Sequence, residues 1–209
     1  MPVLIYLIII LNIAIISKLN AQIKLQKVSE KMVYVSPPFK ECHASTIVEV
    51  EKNKFLIAAF GGSREGNSDV SIWLSKTQNN NWLKPKMIDT GISSDGKDYP
   101  CWNPVLFKSR SGKLTLFYKV GPSPREWWGM YKTSSDNGKN WSSSTRLPNG
   151  ILGPIKNKPI QLENGIIISP SSTEIKNEEG LSWKIHVEMS HDDGANWKKI
   201  PIDQKTKFD

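Results

Sequence analysis

The sequence predicts an all-β protein in which one unit of four strands occurs three times. An eight-residue turn motif recurs along the chain, and apolar segments of strand length surround each copy. No segment of residues 22–209 shows a sustained helical period with caps. Because self-similarity at a fixed period indicates stacked supersecondary units, the repeat determines the predicted fold class.

The turn motif reads S-x-D-x-G-x-x-W in Ser134–Trp141 and Ser190–Trp197, and a degenerate copy occupies Ser75–Trp82. The three copies begin 59 and 56 residues apart. In a full copy the Asp carboxylate can accept backbone N–H groups, the Gly allows a positive φ, and the Trp packs the hairpin onto its sheet. The motif therefore predicts a folding device rather than a catalytic one.

The repeat extends beyond the turn motif. Cys42, Cys101 and Asn157 each lie 33 residues before the Ser of their motif, and each begins the first of four strand-like segments. Four strands per repeat are typical of a β-propeller blade. We predict blades near residues 41–91, 101–148 and 156–202, within a partial propeller domain of residues 22–209.

The first 21 residues are typical of a signal peptide. An apolar core, Val3–Ile16, is followed by Ser17–Ala21 and then by Gln22. An uncleaved anchor is the alternative, but the apolar run is shorter than the roughly 20 residues that a membrane-spanning helix needs. We expect a secreted or periplasmic protein without stable membrane insertion after cleavage.

The predicted number of blades is small, because propellers usually close with about four to eight blades. The simplest interpretation is a truncated propeller, about half of a six-bladed one. Self-association through the open blade faces is the alternative. In either case we expect the isolated chain to be poorly soluble, oligomeric or partly unfolded.

The chain has a formal net charge of +8, but its lysines are scattered and form no run. This distribution argues against nucleic-acid binding and suits an acidic glycan partner better. The two cysteines, Cys42 and Cys101, have no zinc or redox spacing, and no metal or cofactor is expected. We interpret them as two buried thiols, with a disulfide as the alternative in an oxidising compartment.

The three motif copies resemble the Asp-boxes, or BNR repeats, of sialidases. The chain also resembles bacterial and plant BNR repeat-like proteins of the sialidase family in Cys42–Thr46, Phe60–Gly66, Asp69–Trp73, Pro100–Phe107, Phe117–Pro124 and Gly153–Pro159. The resemblance implies a six-bladed propeller with its site at the axial end of the inner strands, and exo-α-sialidase activity.

The chain departs from the sialidase pattern in its arginines. It has no Arg-Ile-Pro motif, and its only arginines are Arg64, Arg110, Arg125 and Arg146. Lysine does not replace a bidentate guanidinium clamp on a carboxylate. The resemblance therefore implies glycan chemistry, with sialic acid or another acidic sugar as the substrate.

In a propeller, the starts of the inner strands and the turns between second and third strands face the axial mouth. Candidate catalytic residues there are His43 for proton transfer and Glu65 and Glu174 as the two carboxylates of a glycosidase. Aromatic stacking, hydrogen bonding and anion binding give the substrate-binding candidates: Arg64, Trp102, Asn103, Lys119, Trp128, Lys156, Asn157 and Lys158. Asp69, Arg125 and Trp127 lie in or beside the same turns. A structural role remains open for each.

Two classes of function remain open. The first is an exo-glycosidase that removes a terminal acidic sugar by general acid/base chemistry. Its variant is a polysaccharide lyase in which His43 or a Tyr abstracts a proton beside a uronate carboxylate. The second class is a non-catalytic glycan-binding module or an inactive fragment.

Overall fold

The computed structural model describes residues 30–93, 96–178 and 180–203, and all regular secondary structure in these residues is β-strand. The expected signal peptide lies outside the described residues. The sheets belong to one compact unit that begins at Val33. Within the described ranges, no helix is long and apolar enough to span a membrane. The predicted all-β fold is confirmed.

Three antiparallel sheets follow one another along the chain, and we call them blades 1 to 3. Blade 1 contains β1 (Glu41–Glu51), β2 (Lys54–Gly62), β3 (Ser71–Gln78), β4 (Asn81–Trp82) and β5 (Lys86–Asp89). Blade 2 contains β6 (Cys101–Lys108), β7 (Leu114–Val120), β8 (Trp128–Ser134) and β9 (Thr145–Arg146). Blade 3 contains β10 (Ile160–Gln161), β11 (Ile167–Asn177), β12 (Gly180–Ser190) and β13 (Lys198–Pro201).

Each blade is a meander with its first strand on the inside. The short strands β4 and β5 both pair with β3, so blade 1 has five strands where the other two have four. The inner strands β1 and β6 pack against each other where blades 1 and 2 meet. The arrangement is that of consecutive propeller blades, as predicted.

The inner strands β1 and β6 share a β-bulge. The register shifts after His43 in β1 and after Trp102 in β6. The residues that follow, Ala44 and Asn103, have positive φ angles of 52° and 43°. His43 and Trp102 therefore occupy equivalent positions, and the bulge redirects the chain at the end where the inner strands begin.

The Asp-boxes form the expected hydrogen-bonded turns. The Asp136 carboxylate accepts the backbone N–H of Asn140 at 2.9 Å, and Gly138 has a φ of 78°. Asp192 accepts the backbone N–H of Asn196 at 2.8 Å in the same way. These hydrogen bonds lower the pKa of both carboxyls to about 2. The boxes are folding devices.

Two apolar clusters hold the blades together. The larger lies between blades 1 and 2 and includes Leu56, Ala58, Phe60, Ile72, Leu106, Leu114, Leu116 and Tyr118. The smaller lies between blades 2 and 3 and consists of Val105, Phe107, Phe117, Leu147, Ile151 and Ile167. The blades thus pack face to face through apolar side chains.

Both cysteines are free thiols, but only Cys101 is buried, so the expectation of two buried thiols was wrong for Cys42. Cys101 belongs to the cluster between blades 1 and 2, and burial raises its pKa. Cys42 pairs with Gly61, on the face of β1 that does not pack on blade 2.

Candidate functional site

A cavity of about 230 Å³ opens at the end of the propeller where the inner strands begin. All three blades contribute to its wall: Glu65 from blade 1, Trp102, Asn103, Pro124 and Trp127 from blade 2, and Ser172, Glu174 and Trp183 from blade 3, with Ile155 from the connection before blade 3. We call this space the axial cavity. It brings together four of the predicted site residues, Glu65, Trp102, Asn103 and Glu174.

Glu65 lies in the turn between β2 and β3, which is held by a local hydrogen-bond network. The Asp69 carboxylate accepts the backbone N–H and the hydroxyl of Ser63, both at 2.8 Å, and Asn67 Nδ2 donates to Ser63 Oγ at 2.9 Å. The backbone N–H of Glu65 donates to Glu41 Oε2 at 3.3 Å. Asp69 therefore shapes the turn that presents Glu65.

Trp102 and Trp127 form the aromatic part of the cavity wall. Their ring centroids lie 6.1 Å apart at an interplanar angle of 67°, and Trp102 Nε1 donates to the Gly121 carbonyl at 2.8 Å. A Cβ on Gly121, whose φ is 150°, would lie 2.4 Å from Trp127 Cα. The close approach that places Trp127 beside Trp102 therefore requires glycine at this position.

Glu174 and Trp183 face each other across the β11–β12 hairpin, where they are direct register partners. Trp183 is 53% exposed, so its ring is available to a ligand. Among the described residues, those that line the cavity include two carboxylates, Glu65 and Glu174, and neither lysine nor arginine. This wall is aromatic and negatively charged, whereas a basic site was expected.

Two of the predicted lysines bind backbone carbonyls instead of facing the cavity. Lys119 is fully buried, and its Nζ donates to the Pro154 carbonyl at 2.7 Å. Burial lowers the pKa of Lys119 to about 7. The Lys158 ammonium donates to the Ile47 carbonyl of β1. Partial burial lowers the pKa of Lys158 as well.

The remaining predicted residues lie away from the cavity wall. The His43 ring stacks near Phe60, with a centroid distance of 5.6 Å, and is half exposed. Trp128 lines a different cavity of about 300 Å³, where the Arg146 guanidinium lies 4.9 Å from its ring centroid. Three further predicted site residues, Arg64, Lys156 and Asn157, are exposed and do not line the axial cavity.

Sequence reasoning missed a buried polar network behind the cavity. Glu188 on β12 is fully buried and accepts the backbone N–H groups of Leu152 at 2.7 Å and Gly153 at 2.6 Å. His186 Nε2 lies 3.2 Å from Glu188 Oε1. The segment held in this way leads directly to Ile155 of the cavity wall. The alternation of His186, Glu188 and Ser190 along β12 was the available sequence signal.

No group of three or more His, Cys, Asp or Glu side chains in the described ranges is placed to hold a metal ion. What the axial cavity offers is two carboxylates, a serine hydroxyl, an asparagine amide and three indole rings. Carboxylates and amides bind sugar hydroxyls, and indole faces stack on sugar rings. The arrangement suits a carbohydrate.

Residues 53–208 match the family model described as the BNR repeat-like domain. The chain belongs to this family. The match covers strands β2 to β5 of blade 1 and all of blades 2 and 3. The resemblance predicted from the Asp-boxes is confirmed. A search of curated protein sequences gives no match to the chain.

Solved structures share the fold. A protein of unknown function from Dyadobacter fermentans is similar over 83% of this chain and 57% of its own, with 15% identity and a TM-score of 0.64. The Hadza microbial sialidase Hz136 is similar over 75% and 36%, with 12% identity and a TM-score of 0.60. The NanB sialidase of Streptococcus pneumoniae is similar over 90% of this chain and 48% of its own, with 11% identity and a TM-score of 0.57. The chain thus spans only part of these structures, and the likeness is one of fold.

Proposed function

We propose that the axial cavity binds the terminal sugar of a glycan and that Glu65 and Glu174 form the carboxylate pair for its hydrolysis. The observation that carries the proposal is the convergence of these two carboxylates, from different blades, on one cavity with three tryptophans. A glycosidase needs one carboxyl group as the acid and a second as the nucleophile or base. Membership of a family with sialidase-like folds supports a carbohydrate substrate.

The charge of the cavity wall favours an uncharged or amino sugar over sialic acid. Glu65 and Glu174 would repel a sugar carboxylate, and no lysine or arginine in the described part of the chain lines the cavity to offset them. The predicted lysines Lys119 and Lys158 bind carbonyl groups elsewhere. The acidic-sugar substrate expected from the sequence therefore lacks a cationic partner in this wall.

The lyase alternative has less support. It requires His43 or a tyrosine as the base, but His43 contacts Phe60 and Glu41 and does not line the cavity. No tyrosine of residues 30–93, 96–178 or 180–203 lines the cavity either. A non-catalytic glycan-binding module remains compatible with the three indole rings, and turnover distinguishes it from the enzyme.

The test is hydrolysis of chromogenic glycosides by the full chain and by Glu65→Gln and Glu174→Gln. We expect hydrolysis of a neutral or amino glycoside, a loss of about 100-fold or more in kcat in each variant, and a smaller change in KM. Glu126 is an exposed carboxylate in the β7–β8 turn of blade 2. The matched control is therefore Glu126→Gln, which should retain activity.

Binding is measured separately with two neighbouring tryptophans. Trp127→Ala should weaken glycan binding because Trp127 lines the axial cavity, whereas Trp128→Ala should not, because Trp128 packs with Arg146 elsewhere. Glycan binding without hydrolysis would support a non-catalytic glycan-binding module and contradict the proposed glycosidase activity. Equal effects of the two tryptophan substitutions would contradict the assignment of the cavity.

A further inference from the structure

The opposite end of the propeller, which carries the Asp-boxes, contains a larger cavity of about 600 Å³. It lies among the β1–β2 turn, the β3–β4 turn and the Asp-box of blade 2, and four lysines line it: Lys52, Lys54, Lys76 and Lys139. Glu51 is the one carboxylate that the described residues contribute to its wall, and Glu51 Oε2 lies 2.5 Å from Lys54 Nζ. The wall is therefore strongly positive.

A second cavity of about 210 Å³ continues this basic surface. It shares Lys76 and Lys139 with the first cavity and adds Lys84 and Lys86. We call the two cavities together the lysine groove. Six lysines and one paired carboxylate line the groove, so a substantial part of the net charge of +8 is concentrated there.

Amide side chains lie between the lysines. Asn53, Asn79, Asn80 and Asn137 line the larger cavity and occupy turn positions with φ between 50° and 61°. Asparagine tolerates this backbone conformation better than most residues, so three turns can each present an amide here. The groove thus combines lysine charges with neutral hydrogen-bonding groups, as binding of a polymer with both charged groups and hydroxyls requires.

We propose that the lysine groove binds an anionic polysaccharide through its sulfate or carboxylate groups. The groove and the axial cavity have opposite charge, and β1 separates the two ends by about 30 Å at roughly 3.3 Å per residue. An acidic chain is attracted to the groove and repelled from the cavity. The two sites therefore hold different parts of a glycan-rich material.

Other polyanions fit the groove less well. Phe55 and Trp141 are the aromatic side chains in its walls, and both are partly buried, so the groove lacks an exposed aromatic platform for nucleic-acid bases. Among the described residues of the groove, Met87 is the one large hydrophobic residue that is mostly exposed. This is little apolar surface for insertion into a membrane. The polysaccharide remains the occupant that the chemistry favours.

The experiment compares two double variants with the same change of charge. Lys76→Gln/Lys139→Gln removes the two lysines that both cavities share, and Lys198→Gln/Lys199→Gln removes two exposed lysines of β13. Binding of the full chain to dextran sulfate and to polygalacturonate is titrated at several salt concentrations. We expect the groove variant to lose about tenfold or more in affinity and its logarithmic salt slope to fall by about 1.5, because two ion contacts are lost.

The β13 variant should bind within about twofold of the wild type. Equal losses in the two variants would show that net charge alone drives binding and would overturn the proposal. Tighter binding of duplex DNA or of anionic phospholipid vesicles than of both polysaccharides would overturn it as well. Because these lysines are exposed, unchanged melting temperatures should confirm that both variants fold.

Discussion

The two interfaces between blades differ in their chemistry. Between blades 1 and 2 the contact is made by fully buried aliphatic side chains such as Leu56, Ile72, Leu106 and Leu116. Between blades 2 and 3 a smaller apolar cluster adjoins Lys119 and Glu188, which are also fully buried. The first interface has an apolar core, and the Lys132–Asp89 ion pair that crosses it at 3.0 Å keeps some solvent exposure. At the second interface the charged groups Lys119 and Glu188 are themselves fully buried.

The difference follows from what each interface has to fix. Apolar burial stabilises without direction, so it suits blades that need only to stay packed. Hydrogen bonds are directional. Glu188 accepts the N–H groups of Leu152 and Gly153, and Lys119 donates to the Pro154 carbonyl, so these bonds fix the backbone of residues 152–154. That segment precedes Ile155 of the axial cavity. The polar interface therefore sets geometry beside the site.

The largest expected difference is in the pH dependence of stability. Burial lowers the pKa of Lys119 to about 7, whereas an unfolded lysine titrates near its ordinary value of about 10.4. Between these values the unfolded state binds more protons, so the free energy of unfolding should rise with pH by up to about 1.4 kcal/mol per pH unit. Urea titrations from pH 6 to 10 measure the slope.

Lys119→Met should abolish this part of the slope, because methionine has a similar length and no charge. Lys176→Met, at an exposed position of β11, is the matched control and should keep the slope of the wild type. If the wild type and Lys119→Met showed the same pH dependence of the free energy of unfolding, buried Lys119 would not be its cause, and this difference between the two interfaces would be contradicted.

A smaller effect, independent of pH, is expected at the apolar interface. Leu116 is fully buried between blades 1 and 2, so Leu116→Ala should lower the free energy of unfolding by about 3 kcal/mol through lost burial and a residual cavity. The loss should be the same at pH 6 and pH 9. A loss that changed with pH would show that the two interfaces are coupled.

The smallest effect is expected from Glu188→Gln, which keeps the shape of the side chain but removes its charge. The charge-assisted hydrogen bonds to Leu152 and Gly153 weaken, and stability should fall by about 2 kcal/mol. Amide exchange at Leu152 and Gly153 should increase more than at the core strands. Glu163→Gln, at an exposed turn, should change neither quantity, and equal exchange rates in the wild type and Glu188→Gln would argue against the positioning of this segment.

Features that depend on neighbours in sequence were predicted well. The Asp-box turns need only the Ser, Asp, Gly and Trp of one eight-residue motif, so the sequence contains all the groups that bond. The equivalence of His43 and Trp102 came from the spacing to the boxes and reappears as a shared bulge.

The lysines were harder to interpret from sequence. A lysine among apolar residues indicates an unusual partner, and the sequence suggested an anionic ligand for Lys119 and Lys158. In the structure both partners are backbone carbonyls, at Pro154 and Ile47, which come from other parts of the chain. Carbonyl groups carry no signature in the sequence, so this partner type could not be recognised.

The sequence by itself determined the repeat, the order of the strands and the local chemistry of the turns, because these depend on residues close together in the chain. Only the tertiary structure decided which face of each strand is covered. On β12 the alternation gives one polar and one apolar face, and the polar one is buried where Glu188 binds the backbone of Leu152 and Gly153, whereas Ile185 is 42% exposed. A strand's period of two residues defines its two faces, but the neighbouring sheet determines which of them is buried.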